Sequence, residues 1–110
     1  MDPIPDRISR FEEVLDAWDK RKFHKIAWYQ KMLLEDPKKY TFDKFDMFLD
    51  RYCLLGRLFG SYLAGLEYFN LKADSAVYHG LASARPSEYK LLTAAWREKI
   101  LLRLAGKIID

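Results

Sequence analysis

The sequence predicts an all-α protein: a bundle of four main helices, the third short, built around a long central second helix. Two observations carry this. Apolar residues recur at three- and four-residue spacing along most of the chain, and no run alternates with period two between hairpin-turn residues. Half of the 110 residues are hydrophobic and 32% are charged, which suits a single domain with one core. One domain over residues 1–110 is therefore expected, with 1–5 as an extended N-terminal segment.

Helix one is expected to start after Asp6, an N-cap candidate behind Pro5. Ile8, Phe11, Leu15 and Trp18 form its apolar stripe, which resumes as Ile26, Tyr29 and Leu33. Lys22 stands where the next apolar residue belongs. The segment is either one helix to about Leu34 or two helices bent near Lys20–Lys22. Asp36-Pro37 ends it, because proline disfavours helical geometry in the residue before it.

Helix two is expected after the link Lys38–Thr41, capped by Thr41 or Asp43. Phe45, Phe48, Leu49, Tyr52, Leu55, Phe59, Leu63, Leu66 and Phe69 hold the helical period to about Asn70. About 28 residues at 1.5 Å each give roughly 42 Å, longer than the roughly 34 Å diameter of a 110-residue globule. Cys53, Gly56, Gly60 and Ala64 line up as small side chains on this helix and are expected to form a helix–helix interface, within the chain or with a second subunit. Two mid-helix glycines cost about 1 kcal/mol each relative to alanine, so a close contact should offset them.

Asp74 is expected to cap a short third helix over residues 75–84, broken by Arg85-Pro86. Ser87 caps helix four, which runs to about Ile109, with Glu88 early and Arg103 and Lys107 late, as the helix dipole favours. The expected core includes Phe11, Leu15, Trp18, Phe45, Leu49, Tyr52, Phe59, Leu63, Leu66, Leu92, Trp96 and Ile100. The stretch from Ile100 to Ile109 is apolar on nearly all sides, the pattern of a helix covered on more than one face.

The net charge is +3, mild for a dedicated DNA binder, but the charges are unevenly spread. Residues 1–19 hold six acids and two bases, while residues 20–44 hold eight bases and three acids. Lys20, Arg21, Lys22, Lys25 and Lys31, interleaved with Trp18, Phe23, Trp28, Tyr29 and Tyr40, are the expected surface for an acidic protein partner or for nucleic acid. The N-terminus has no basic segment followed by an apolar run, and no 18 residues are free of charge. A cytoplasmic protein with no membrane partner is expected.

Catalysis finds little support. The single cysteine excludes an internal disulfide and a multi-cysteine zinc site. His24 lies among cations that would repel a metal ion, and His79 precedes Gly80 as a half-buried structural residue. Cys53 is expected to be structural, with Arg57 one turn on lowering its pKa slightly. Asp46 and Asp50, one turn apart, read as a solvated face. Phosphate-loop and dinucleotide glycine patterns are absent. Ala76-x-x-x-Gly80 has the small-residue spacing that precedes a recognition helix, but Leu81–Ala84 continues in helical style and Pro86 falls inside that would-be helix.

The expected function is that of a non-enzymatic helical protein–protein interaction module, such as an adaptor, regulator or accessory subunit. It would act through apolar helix surfaces and the basic cluster. A homo-oligomer, a dimer first, or another protein is the expected partner, with no catalytic or metal site, no cofactor and no small-molecule substrate. The alternative is a nucleic-acid-binding regulator using Lys20–Lys25.

Overall fold

The computed structural model describes residues 2–33 and 42–109, with side chains as far as Gly106. The fold is all-α. Among the described residues six α-helices occur and no strand. The link Lys38–Thr41, the Asp36-Pro37 break and the Thr41 cap lie outside the described residues.

α1 spans Ile4–Arg21 and begins earlier than expected, so Ile4 and Pro5 are helical rather than extended. Pro3 stands at the N-cap, and its carbonyl accepts from the Asp6 and Arg7 amides. The expected stripe of Ile8, Phe11, Leu15 and Trp18 is buried. The alternative with a break at Lys20–Lys22 is the one that forms. α1 stops at Arg21, and α2 is a single turn, Trp28–Lys31, ahead of which the Ala27 amide donates to Gln30 Oε1 at 2.9 Å.

The long second helix does not form. Phe42–Lys44 is a 3-10 turn, and residues 45–53 are turns and loop. Asp46 Oδ1 accepts from the Phe48 amide, and the Met47 amide donates to Thr93 Oγ1. α3 (Leu54–Phe59) and α4 (Tyr62–Tyr68) are then separated by Gly60 and Ser61. Gly60 takes φ +93°, a left-handed conformation that glycine reaches at little cost. Ser61 is extended, and its hydroxyl accepts from the Ala64 amide at 3.0 Å, capping α4. Asp50 Oδ1 takes the Tyr62 amide at 2.9 Å. These local side-chain partners override an apolar period that runs on unbroken. A straight 42 Å helix would also exceed the longest extent of the molecule, 36 Å.

α3 and α4 fold back on each other. A Cβ on Gly65 would stand 2.7 Å from Leu55 Cβ, so that glycine is what lets the two helices close. α5 covers Ala73–Tyr78, shorter than expected, because Gly80 (φ +69°) ends it. The helical continuation expected over Leu81–Ala84 is absent. Its small residues still precede no recognition helix directly, since the next helix begins only at Tyr89 after a 3-10 turn at Pro86–Glu88.

α6 spans Tyr89–Ile109 and is the longest element. It packs on α1 and α2 and buries Leu92, Trp96 and Ile100. Trp96 Nε1 donates to Gly80 O at 2.8 Å, tying α6 to the end of α5. Arg103 forms two hydrogen bonds to Asp16 and one to Glu12 of α1, at 2.8–3.1 Å. Burial alone would lower the Arg103 pKa, but these acidic partners outweigh it and raise it. Much of the expected core is buried as predicted. Leu49 and Leu63 are exposed instead, Leu49 because it falls in the 45–53 loop and Leu63 because it lies on the solvent side of the short α4, while Met47, Leu54, Trp28, Met32 and Leu81 are buried.

Candidate functional site

The expected small-residue interface is dispersed. Cys53 is the N-cap of α3, Gly56 lies inside α3, Gly60 is its left-handed terminus, and Ala64 belongs to α4. Each is accounted for within the chain. A Cβ on Gly56 would stand 2.7–2.8 Å from the Arg51 backbone, so the 45–53 loop fills the groove that a partner helix was expected to occupy.

The groups with reactive potential are engaged in holding the fold. Cys53 Sγ accepts from the Gly56 amide at 3.3 Å and donates to Asp50 O at 3.4 Å. Burial pushes its thiol up to about 11, opposite to the lowering expected from Arg57. It is therefore a protonated cap and a poor nucleophile near neutrality. Arg57 is itself buried, donates from Nε and Nη2 to Met32 O, and has its pKa lowered by burial. His79 Nδ1 donates to Ser75 O at 2.7 Å. Among the described residues no group of three His, Cys, Asp or Glu side chains is placed to hold a metal ion. A cleft beside Cys53, lined by Met47, Phe48, Tyr62 and Tyr89, holds about 140 Å³, below the usual size of a ligand pocket.

Two surfaces stand out among the described residues. The first is the outer face of α6. Leu91, Ala94, Glu98, Leu101 and Ala105 recur at alternating three- and four-residue steps and are all exposed, with Leu102 beside them at 62%. That is the spacing of a seam along which two helices pack. Ala94, Arg97, Glu98, Leu101 and Leu102 form a shallow, mainly apolar depression on it.

The second surface is the turn that leaves α1. Lys20, Arg21, Lys22 and Lys25 are all exposed, and Phe23 at 89% is the most exposed large apolar residue described. Lys31, the fifth expected binding residue, is only half exposed and lies over the Trp18 ring at 5.0 Å, so it is partly committed to the fold. The turn is firmly held. The Phe23 amide donates to Lys20 O and the His24 amide to Asp19 O. Asp19 Oδ1 accepts from His24 Nδ1 and Asp19 Oδ2 from the Trp28 amide, both at 2.8 Å. The His24 ring rests edge-on against Trp18 at 4.5 Å.

The aromatics interleaved with these cations divide. Trp18 and Trp28 are core residues, and Tyr29 is half-buried beneath Arg103. Phe23 alone of the described four faces solvent. Tyr40 lies outside the described residues. The amino-acid period could not single out Phe23, because what exposes it is a left-handed turn.

No helix among the described residues is long and apolar enough to cross a membrane. Set against models of known protein families, curated protein sequences and solved structures, the chain matches none.

Proposed function

We propose that the protein is a non-enzymatic helical interaction module whose contact surface is the outer face of α6. The observation that carries this is the exposed stripe Leu91–Ala94–Leu101–Ala105 on a helix whose opposite face is already buried in the core. An exposed row of mostly apolar side chains, interrupted only by Glu98, fits a protein contact. The engagement of Cys53, His79 and Asp50 as caps and turn partners supports a binding role over a chemical one.

A second copy of the chain is the partner proposed. In an antiparallel pair with a two-fold axis between Arg97 and Glu98, Leu101 of each copy falls opposite Ala94 of the other. Large then meets small, and Glu98 falls across from Arg97, which also donates to Phe45 O of its own chain. An adaptor or accessory role in the cytoplasm, without cofactor or small-molecule substrate, follows from this reading.

Sedimentation equilibrium tests it. The wild-type chain should sediment as a dimer at micromolar concentration. Leu101→Glu, which places a charge on the seam without touching the core, should sediment as a monomer with unchanged helical circular dichroism. Equal masses for the two chains would contradict the proposal.

A further inference from the structure

Among the described residues three helices end in the same hydrogen-bonded motif, and one of them ends in the wrong residue for it. After α4, Asn70 is left-handed (φ +56°), with Asn70 N to Glu67 O and Leu71 N to Leu66 O. After α5, Gly80 is left-handed (φ +69°), with Gly80 N to Val77 O and Leu81 N to Ala76 O. After α1, Phe23 occupies that position (φ +54°), with Phe23 N to Lys20 O and His24 N to Asp19 O. Glycine and asparagine suit a left-handed residue, whereas a bulky side chain there is strained. Phe23 is not held there by packing, since its side chain is 89% exposed. It gains nothing from the fold that would offset the strain.

The surroundings define what it faces. Lys20, Arg21, Lys22 and Lys25 are exposed around it, and Ile26 adds a second exposed apolar side chain. The one nearby carboxylate within the turn, Asp19, is taken by His24 and the Trp28 amide. An apolar tip ringed by cations is the composition that enters the interface of an anionic bilayer: the ring seats at the headgroup boundary while the cations stay on the phosphates. A strand of nucleic acid would call for successive stacking rings. Of Trp18, Phe23, Trp28 and Tyr29, only Phe23 is open.

We infer that the Lys20–Ile26 turn is a peripheral docking site for an anionic lipid surface, with Phe23 as its inserting residue. This goes beyond the α6 contact and departs from the sequence-based expectation of no membrane partner. It requires no spanning helix.

The test is co-sedimentation of the full chain with vesicles of phosphatidylserine and phosphatidylcholine in equal parts, and with phosphatidylcholine alone. Binding should require phosphatidylserine. Phe23→Ser should weaken it about tenfold. Lys20→Ala with Lys22→Ala should weaken it about twenty-five-fold, at about fivefold per cation. Phe23→Gly separates the role from a structural one: it should raise the melting temperature by about 4 °C, as relief of the left-handed strain, while weakening vesicle binding. Absence of binding to phosphatidylserine vesicles at low salt would overturn the inference, as would unchanged binding by Phe23→Ser. Tighter, Phe23-dependent binding to a mixed-sequence oligonucleotide at the same salt would overturn it in favour of nucleic acid.

Discussion

Cys53 shows how a single residue is committed by its surroundings. Its sulfur accepts one amide and donates to one carbonyl, and it is 1% exposed. We predict that it resists alkylation near neutral pH until the chain unfolds, as a timed iodoacetamide reaction would show. Cys53→Ser should keep the cap, while Cys53→Ala should cost about 1 kcal/mol in a denaturant melt. The thiol pKa is raised from 9.0 to about 11, so the folded state holds the proton more tightly than the unfolded one. The stability this contributes is complete below pH 9 and is lost as pH rises toward about 11. Tyr62, pushed up to about 12 by burial, acts in the same sense. Stability should therefore fall on the alkaline side. A residue such as Cys53 was legible in the sequence as structural, but its job as a cap was not. Capping depends on where a helix begins, and the uninterrupted apolar period concealed that start.

At the scale of the element, α1 and α6 were legible and the middle of the chain was not. The Ile8–Phe11–Leu15–Trp18 stripe and the Leu92–Trp96–Ile100 face are buried as their spacing required. In both, the apolar period decides the helix although neither expected cap is used: α1 starts at Ile4, ahead of Asp6, and Ser87 lies in the 3-10 turn before α6. Between Phe45 and Phe69 they disagree. The apolar period asks for one helix, whereas Cys53, Gly60 and Ser61 each offer the backbone a local alternative. Three such groups prevail over the pattern, and the break leaves Phe48, Leu49 and Leu63 of its apolar series exposed. Glycine at position 60 was read as a packing surface, but its role is conformational: a Cβ there would meet nothing within 4 Å, while φ is +93°. Gly60→Ala should accordingly destabilise the fold by about 1 kcal/mol through strain alone. A thermal melt of that variant checks this, and an unchanged midpoint would argue against the left-handed break.

The molecule as a whole has a radius of gyration of 13.2 Å, the value for a single small domain of this length. Its long helices satisfy their inner faces against each other, with Arg103 of α6 clamped by Glu12 and Asp16 of α1. That clamp pairs two acids from the start of the chain, Glu12 and Asp16, with a base near its end. Four exposed cations, Lys20, Arg21, Lys22 and Lys25, stand close together on the turn after α1. Exposed apolar side chains line the outside of α6 at Leu91, Leu101 and Leu102, where the dense composition of the C-terminal stretch had pointed to an association surface, while Phe23, Phe48 and Leu63 are exposed elsewhere. The expected seam on a second helix dissolved into loops and caps, and the seam on α6 carries the proposed function alone. The most direct measurement is oxidation of an equimolar mixture of Ala94→Cys and Leu101→Cys chains, followed by non-reducing electrophoresis. Cys53 stays buried and silent in both. Antiparallel pairing across Arg97–Glu98 predicts a mixed disulfide between the two variants in preference to either homodimer. Monomers alone, or cross-links formed equally by each variant with itself, would contradict it.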